Sequence, residues 1–292
     1  MKKQLLTLLF AFMAIGFAAA QSATPLRIVV LGAHPDDCDQ DEGGTAILFA
    51  KMGHQVKFVS LTNGDAGHQT TGGGALAKRR TAEAQEAAKR FGIAEYVVLG
   101  NHDGELEPSL EVRLQVIKEI RKWNADIVIA PRPNDYHPDH RYTGVLVQDA
   151  AYMVAVPNIA PEVPALKKNP VFLYGYDGFQ RPNPFRPDIA VDITEVTEQK
   201  GYALDAHVSQ FYEWLPWIGG YADQVPEGAE ARKAWLTKKS IRPPSAEAKK
   251  AIEKWYGKDR VAKATNVETF EICEYGRQPN DEEIRALFPM LK

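Results

Sequence analysis

Cysteine is scarce in this 292-residue chain: Cys38 and Cys273 are the only two. That excludes a disulfide scaffold, although the pair could form one bridge if their Cα atoms came close enough. A strong excess of either charge is also missing, with 35 Lys and Arg against 38 Asp and Glu. Nucleic acid normally calls for a clustered basic surface, so it is not an expected partner. Beyond residue 20, no apolar run approaches the roughly twenty residues needed to span a bilayer. Internal repeats and low-complexity tracts are absent as well.

The single long apolar run lies at the start, MKKQLLTLLFAFMAIGFAAAQSA. Two lysines, about fifteen apolar residues and the string Ala18-Ala19-Ala20 make the layout of a secretory signal peptide over residues 1–20. An uncleaved membrane anchor is the alternative, but the run is short for a spanning helix. No cysteine stands near the cleavage point, so lipoprotein processing is not indicated. The expectation is an exported protein, periplasmic or extracellular, with no stable membrane insertion after cleavage. The remaining 272 or so residues suffice for one large domain with a substantial core.

From residue 26 onward, short β-rich runs alternate with amphipathic helical ones. LRIVVLGA (26–33), QVKFVSLTNG (55–64), EYVVLG (95–100), ADIVIAPR (125–132) and VFLYGY (171–176) read as strands. Residues 43–53, 75–93, 110–124 and 140–155 read as the helices between and after them. Such alternation implies an α/β fold with a parallel sheet covered on both faces. Right-handed crossovers then favour a Rossmann-like, doubly wound, mainly parallel sheet. Past residue 180 the alternation weakens. A strand at 189–196, a helix at 197–212 and an aromatic, glycine-rich loop lead into residues 213–292, read as a C-terminal extension packed on the same domain.

The first strand is followed by Gly32-Ala33-His34-Pro35-Asp36-Asp37 rather than the G-x-G-x-x-G of a dinucleotide site. Adjacent carboxylates repel a phosphate, which argues against a nucleotide. A second ionisable cluster, Asn134-Asp135-Tyr136-His137-Pro138-Asp139-His140, follows the fourth strand. With Pro138 as the first helical residue, His137 becomes the cap and His140 sits in the first turn, three residues on. In the strand order 3-2-1-4-5, strands 1 and 4 are neighbours at the point where the order reverses. Open α/β sheets bind ligands at that point, at the carboxyl ends of their strands. The two clusters are therefore expected to share one pocket. Two histidines and a carboxylate with an open fourth position make a catalytic zinc site, which brings a bound water to a pKa of about 7. A spare carboxylate can serve as base and a spare histidine can steady the oxyanion. His34, Asp36, Asp37, His137 and His140 supply these roles, and such a donor set also accepts Fe2+ or Mn2+. A helix cap or a surface histidine explains each residue singly, but not two converging clusters.

His34-Pro35-Asp36-Asp37 paired with His137-Pro138-Asp139-His140 resembles the PIG-L/LmbE family of metal-dependent N-acetyl-sugar deacetylases. The resemblance covers roughly residues 26–212 and takes in Thr62–Gly67, Arg80–Glu83, Asp103, Lys200 and His207–Gln210. It implies His34, Asp37 and His140 as zinc ligands and Asp36 as general base. It further implies His137 as the group that steadies the oxyanion or assists the leaving amine, with Asp139 orienting it or a ligand histidine. Arg80 and Asp103 fall where the family commonly contacts substrate. A surface pair of Arg80 with Glu83 is the plain alternative. His207 is a substrate residue, a supporting residue or a buried structural histidine. One departure stands out, because Cys38 occupies the place where the family usually has Glu.

The expected activity is exported, zinc-dependent removal of an acetyl or other acyl group from the amine of an N-acetylated sugar or glycoconjugate. The alternatives are an amidase acting on a larger amide, such as a thiol-sugar conjugate, and a non-catalytic carbohydrate-binding protein on the same fold. The second of these predicts a missing ligand or base, and none is missing. Phe211, Tyr212, Trp214, Trp217 and Tyr221 form either a sugar-stacking wall or core packing, with core packing favoured. The expected partner is a small-molecule or glycan substrate, and the sequence is silent on oligomeric state.

Overall fold

The computed structural model describes residues 24–292, so the expected signal peptide at 1–20 lies outside the described residues. The chain begins β1 (Arg27–Gly32), α1 (Asp37–Lys51), β2 (Gln55–Thr62), α2 (Gly73–Phe91), β3 (Glu95–Asn101), α3 (Leu110–Trp123), β4 (Ile127–Ala130), α4 (Pro138–Met153) and β5 (Val171–Gly175). It continues with β6 (Ile189–Asp192), α5 (Thr197–Leu204), a π-helical turn (Ser209–Trp214) and α6 (Leu215–Ile218). The last elements are α7 (Ala229–Lys239), α8 (Ala246–Tyr256), α9 (Lys258–Val261), β7 (Val267–Gly276) and α10 (Asp281–Leu287).

The seven strands form one sheet in the order β3-β2-β1-β4-β5-β7-β6. Its first five strands are parallel and follow the expected order 3-2-1-4-5, with β1 flanked by β2 and β4. Alternate residues of β1 feed the two faces. Ile28 and Val30 join a core with Phe49, Phe58, Phe91 and Trp255, while Val29 and Leu31 join one with Val116, Ile117, Ile120 and Leu146. Each such side chain stabilises the fold by about 1.5–3 kcal/mol when fully buried. Among the described residues no helix is long and apolar enough to cross a membrane.

Three expectations change in detail. Helix α1 starts at Asp37 rather than residue 43, with Asp37 and Asp39 at the positive end of its dipole. Gly43 and Gly44 sit inside it because a Cβ there would come within 2.5 Å of Phe91 and Ile193 respectively. The helix expected at 197–212 ends at Leu204 and gives way to the π-helical turn. The C-terminal segment also does more than pack on the domain. Strand β7 inserts between β5 and β6, antiparallel to both, and so completes the sheet.

The allowed disulfide does not form, since Cys38 and Cys273 are both free and buried. They belong to the cores on opposite faces of the sheet. The Cys38 thiol faces the carbonyls of Val30 and Val59 at 3.5 and 3.9 Å, in the core and not toward the ionisable clusters.

Candidate functional site

Strand β1 ends at Gly32, where a Cβ would lie 2.8 Å from that of Asp37. The absent side chain lets the Asp37 carboxylate fold back over the strand end. Its Oδ2 accepts from the backbone N–H groups of Ala33 and His34, both at 2.8 Å. From β4 the chain turns into α4 as the spacing predicts, with His137 as N-cap and Pro138 in the first turn. The Nδ1 of His137 accepts from the Asp139 N–H at 3.2 Å. Both clusters thus stand at the carboxyl ends of the adjacent strands β1 and β4.

Three donor atoms meet there. His34 Nδ1 lies 3.2 Å from His140 Nε2 and 3.5 Å from Asp37 Oδ2, and the latter two are 3.4 Å apart. Zinc holds N and O ligands at about 2.0–2.2 Å in tetrahedral geometry, which sets ligand separations near 3.4 Å. The triangle fits one face of such a tetrahedron. The opposite edge of His34 supports the same reading, with Nε2 3.0 Å from Asp103 Oδ1 and 3.3 Å from Asp139 Oδ2. A proton held there leaves the Nδ1 lone pair facing the triangle.

Two other groupings of donor atoms lie within 4.8 Å of one another, His34 with His137 and His140, and His34 with Asp103 and Asp139. The second is already spoken for, because Asp139 also accepts from the Gly104 and Leu106 N–H groups at 2.7 and 3.3 Å. Electrostatics point to the same triangle. Burial would lift the Asp37 carboxyl, yet His140 and His34 hold it far below the usual range. Burial pulls His34 down, but Asp37, Asp103 and Asp139 outweigh it and raise the ring well above its ordinary value. Without a metal, this cluster attracts positive charge.

Asp36 stands beside the triangle with its Oδ1 2.6 Å from Arg80 Nη2. Burial raises its carboxyl and Arg80 opposes the rise. On the other side the His137 ring meets the His34 ring edge-on, centroids 4.8 Å apart. Burial and the neighbouring His34 and His140 push His137 below its ordinary value. Since its Nδ1 accepts a backbone N–H, the neutral ring carries its proton on Nε2.

The three residues expected near a substrate are all buried. Arg80, at 2% exposure, pairs with buried Asp36 and not with Glu83, whose carboxylate serves Arg79 and Ser209. Asp103, 8% exposed, backs His34, and His207 is fully buried with its Nε2 2.8 Å from Asp39 Oδ1. Arg80 and Asp103 thus pair with Asp36 and His34, while His207 pairs with Asp39 inside helix α1. Asp139 is likewise fully buried, and its carboxylate faces the expected ligand histidine His34 while its N–H donates to His137. Asp135 is a further member of the cluster. Its Oδ1 lies 3.3 Å from His140 Nδ1 and accepts the His137 N–H at 2.9 Å, so it orients one ring and shapes the turn. Its position two residues before a helix cap was the readable signal.

The chain is similar to several proteins of known family and fold. A profile of the family described as "PIG-L: GlcNAc-PI de-N-acetylase" matches residues 29–151. The diacetylchitobiose deacetylase of Thermococcus kodakarensis is 33% identical over 205 residues, covering 66% of this chain and 74% of that protein. A probable N-acetyl-alpha-D-glucosaminyl L-malate deacetylase 2 of Bacillus anthracis is 26% identical, covering 72% and 91%. Among solved structures, the N,N'-diacetylchitobiose deacetylase of Pyrococcus horikoshii in complex with its inhibitor aligns with a TM-score of 0.62 at 26% identity. That alignment covers 84% of this chain and 83% of that one.

Proposed function

The chain belongs to the PIG-L family of GlcNAc-PI de-N-acetylases, and on that premise we propose that it is an exported, zinc-dependent hydrolase that removes the acetyl group from the amine of an N-acetylated sugar. The observation that carries the proposal is the triangle of His34 Nδ1, Asp37 Oδ2 and His140 Nε2, with Asp36 and His137 on either side. Those three atoms would hold the cation, and Fe2+ or Mn2+ are the other ions that the donor set accepts. When bound, such a cation supplies Lewis acidity, which acidifies water and polarises an amide carbonyl.

The chain's own residues do the rest. Asp36, buried and with one oxygen fixed by Arg80, takes the proton from the attacking water. The carbonyl oxygen gains negative charge as the carbon becomes tetrahedral. The Nε2–H of neutral His137 donates to that oxygen, and the capped geometry fixes the ring in advance. The proton on Asp36 then passes to the nitrogen as the C–N bond breaks, giving acetate and a free amine. Asp103 and Asp139 would hold the His34 ring, and Asp135 the His140 ring, with their free lone pairs toward the triangle where a cation would bind.

Export rests on the residues 1–20 alone. The catalytic proposal is tested by incubating the zinc-loaded protein with N-acetylglucosamine and its β-1,4-linked oligomers. Equal amounts of acetate and primary amine are expected, with loss on chelation and recovery on adding zinc. Release of an acid other than acetate from mixed N-acyl sugars, with none from the acetyl compounds, would favour the larger-amide alternative.

A further inference from the structure

The aromatic segment after α5 divides into two parts. Phe211 and Tyr212 are buried in the core, and Tyr221 packs toward Trp235. Trp214 and Trp217 instead stack on one another, ring centroids 5.5 Å apart and planes 20° from parallel, with Trp217 52% exposed. A stacked indole pair with one ring half in water offers an apolar face to a ligand.

Gly67 locates the pair. A Cβ at Gly67 would lie 2.8 Å from Arg80 Nη1, 3.2 Å from Asp103 Oδ2 and 3.7 Å from Trp214 Nε1. Gly67 therefore lets the Trp214 indole edge close on the Arg80–Asp103 pair that backs Asp36 and His34. Through Trp214 the stacked pair lies next to the two residues that back Asp36 and His34.

The pair is also held in place. Trp214 ends the π-helical turn, an irregularity common at functional sites. Arg79 grips Glu213 with two hydrogen bonds of 2.6 and 2.7 Å, and His68 adds a third at 2.8 Å. Gln210 donates to the Gly67 carbonyl at 3.1 Å, and the Ser209 N–H donates to Glu83 at 3.0 Å. The turn is thus tied to α2 and to the loop carrying Gly67. Rigid aromatic surface lowers the entropy cost of binding.

We propose that Trp214 and Trp217 form a stacking platform for a second sugar ring, next to the ring whose N-acetyl group is cleaved. The substrate is then a disaccharide or longer glycan rather than a free monosaccharide. The inference rests on the deacetylase reading above. A pyranose presents a flat C–H face that suits one indole, and its hydroxyls remain in water at the rim. A protein partner would need a far larger apolar patch than this one exposed ring pair.

The test compares kcat and KM on N-acetylglucosamine, its β-1,4-linked dimer and its tetramer, for the wild type, Trp217→Ala and Trp217→Phe. Stacking on one ring predicts a rise in KM for the dimer and tetramer of roughly three- to tenfold in Trp217→Ala. Their kcat and all monomer constants should hold, and Trp217→Phe should recover most of the loss. An unchanged ratio of dimer to monomer kcat/KM in Trp217→Ala overturns the platform, as does a wild type that prefers the monomer. If no sugar is deacetylated by any form, the deacetylase reading fails instead. Quenching of indole fluorescence by the β-1,4-linked dimer still decides the platform then. Quenching in the wild type and its loss in Trp217→Ala support it, and equal response in both overturns it.

Discussion

Consider Asp139→Asn, an exchange that keeps size and removes charge at a residue no substrate reaches. In the wild type its two oxygens accept from Gly104 N–H at 2.7 Å, Leu106 N–H at 3.3 Å and His34 Nε2 at 3.3 Å. Asparagine has one acceptor oxygen. With that oxygen toward Gly104 and His34, its NH2 meets the Leu106 N–H and one buried donor loses its partner. That costs about 1–3 kcal/mol, and the flipped amide orphans two donors, so the first orientation wins. The catalytic consequence is separate. His34 loses one of the two carboxylates behind it, and outer partners of metal ligands are worth about 10- to 100-fold in affinity. At saturating zinc in the wild type, that removes about 1.4–2.7 kcal/mol of ligand-linked stability. Zinc affinity is measured by competition with a chelating dye, and stability by urea unfolding with and without zinc. The gap between the two unfolding curves should narrow in the variant. A variant that unfolds earlier but binds zinc as tightly as the wild type would refute the assignment of Asp139 to His34.

Asp36→Ala should lower turnover by roughly two to four orders of magnitude while zinc stays bound, and unimpaired turnover would sink its role as base. His34→Ala should instead lose the metal, so full occupancy by metal analysis would contradict the ligand set. Buried Lys57 reaches Glu119 at 2.6 Å, and because Lys122 still pairs with Glu119, Lys57→Met should destabilise by only about 1–3 kcal/mol at neutral pH. Burial raises the Glu119 carboxyl, but Lys122 and Lys57 hold it below its ordinary value. Its folded pKa is thus lower than its unfolded one. The pair's contribution is therefore present above a pH of about 4.3 and fades as acid protonates Glu119. Urea unfolding at falling pH should show the gap between wild type and variant closing, and a constant gap would count against the pair.

The first five strands were legible because buried parallel strands read as nearly unbroken apolar runs, as in RIVVLG and IVIA. The C-terminal extension was legible as part of the same domain, but not the place of β7 between β5 and β6. That choice depends on contacts across some eighty to a hundred residues, and local pattern does not encode it. The start of α1 was misplaced for a similar reason. Gly43-Gly44 looks like a boundary, whereas the contacts that demand glycine come from Phe91 and Ile193, far along the chain.

For the site, topology carried the argument. Once β1 and β4 are neighbours, His34-Pro35-Asp36-Asp37 and His137-Pro138-Asp139-His140 have to meet. What sequence withheld was which carboxylate faces which group, because the roles divide by depth and not by spacing. Asp36, Asp37, Asp103, Asp135 and Asp139 place five carboxylates about three imidazoles, with Arg80 the fixed cation among them. A chain that concentrates so much negative charge in a largely buried place does so at a cost to folding, unless a cation shares the site. Arg80 relieves Asp36, and backbone N–H groups relieve Asp37 and Asp139. The three atoms on the triangle remain as candidate ligands for a cation. On the proposed reading, Arg80, Asp103 and Asp139 hold the cluster in place, and contact with a second sugar ring falls to Trp214 and Trp217.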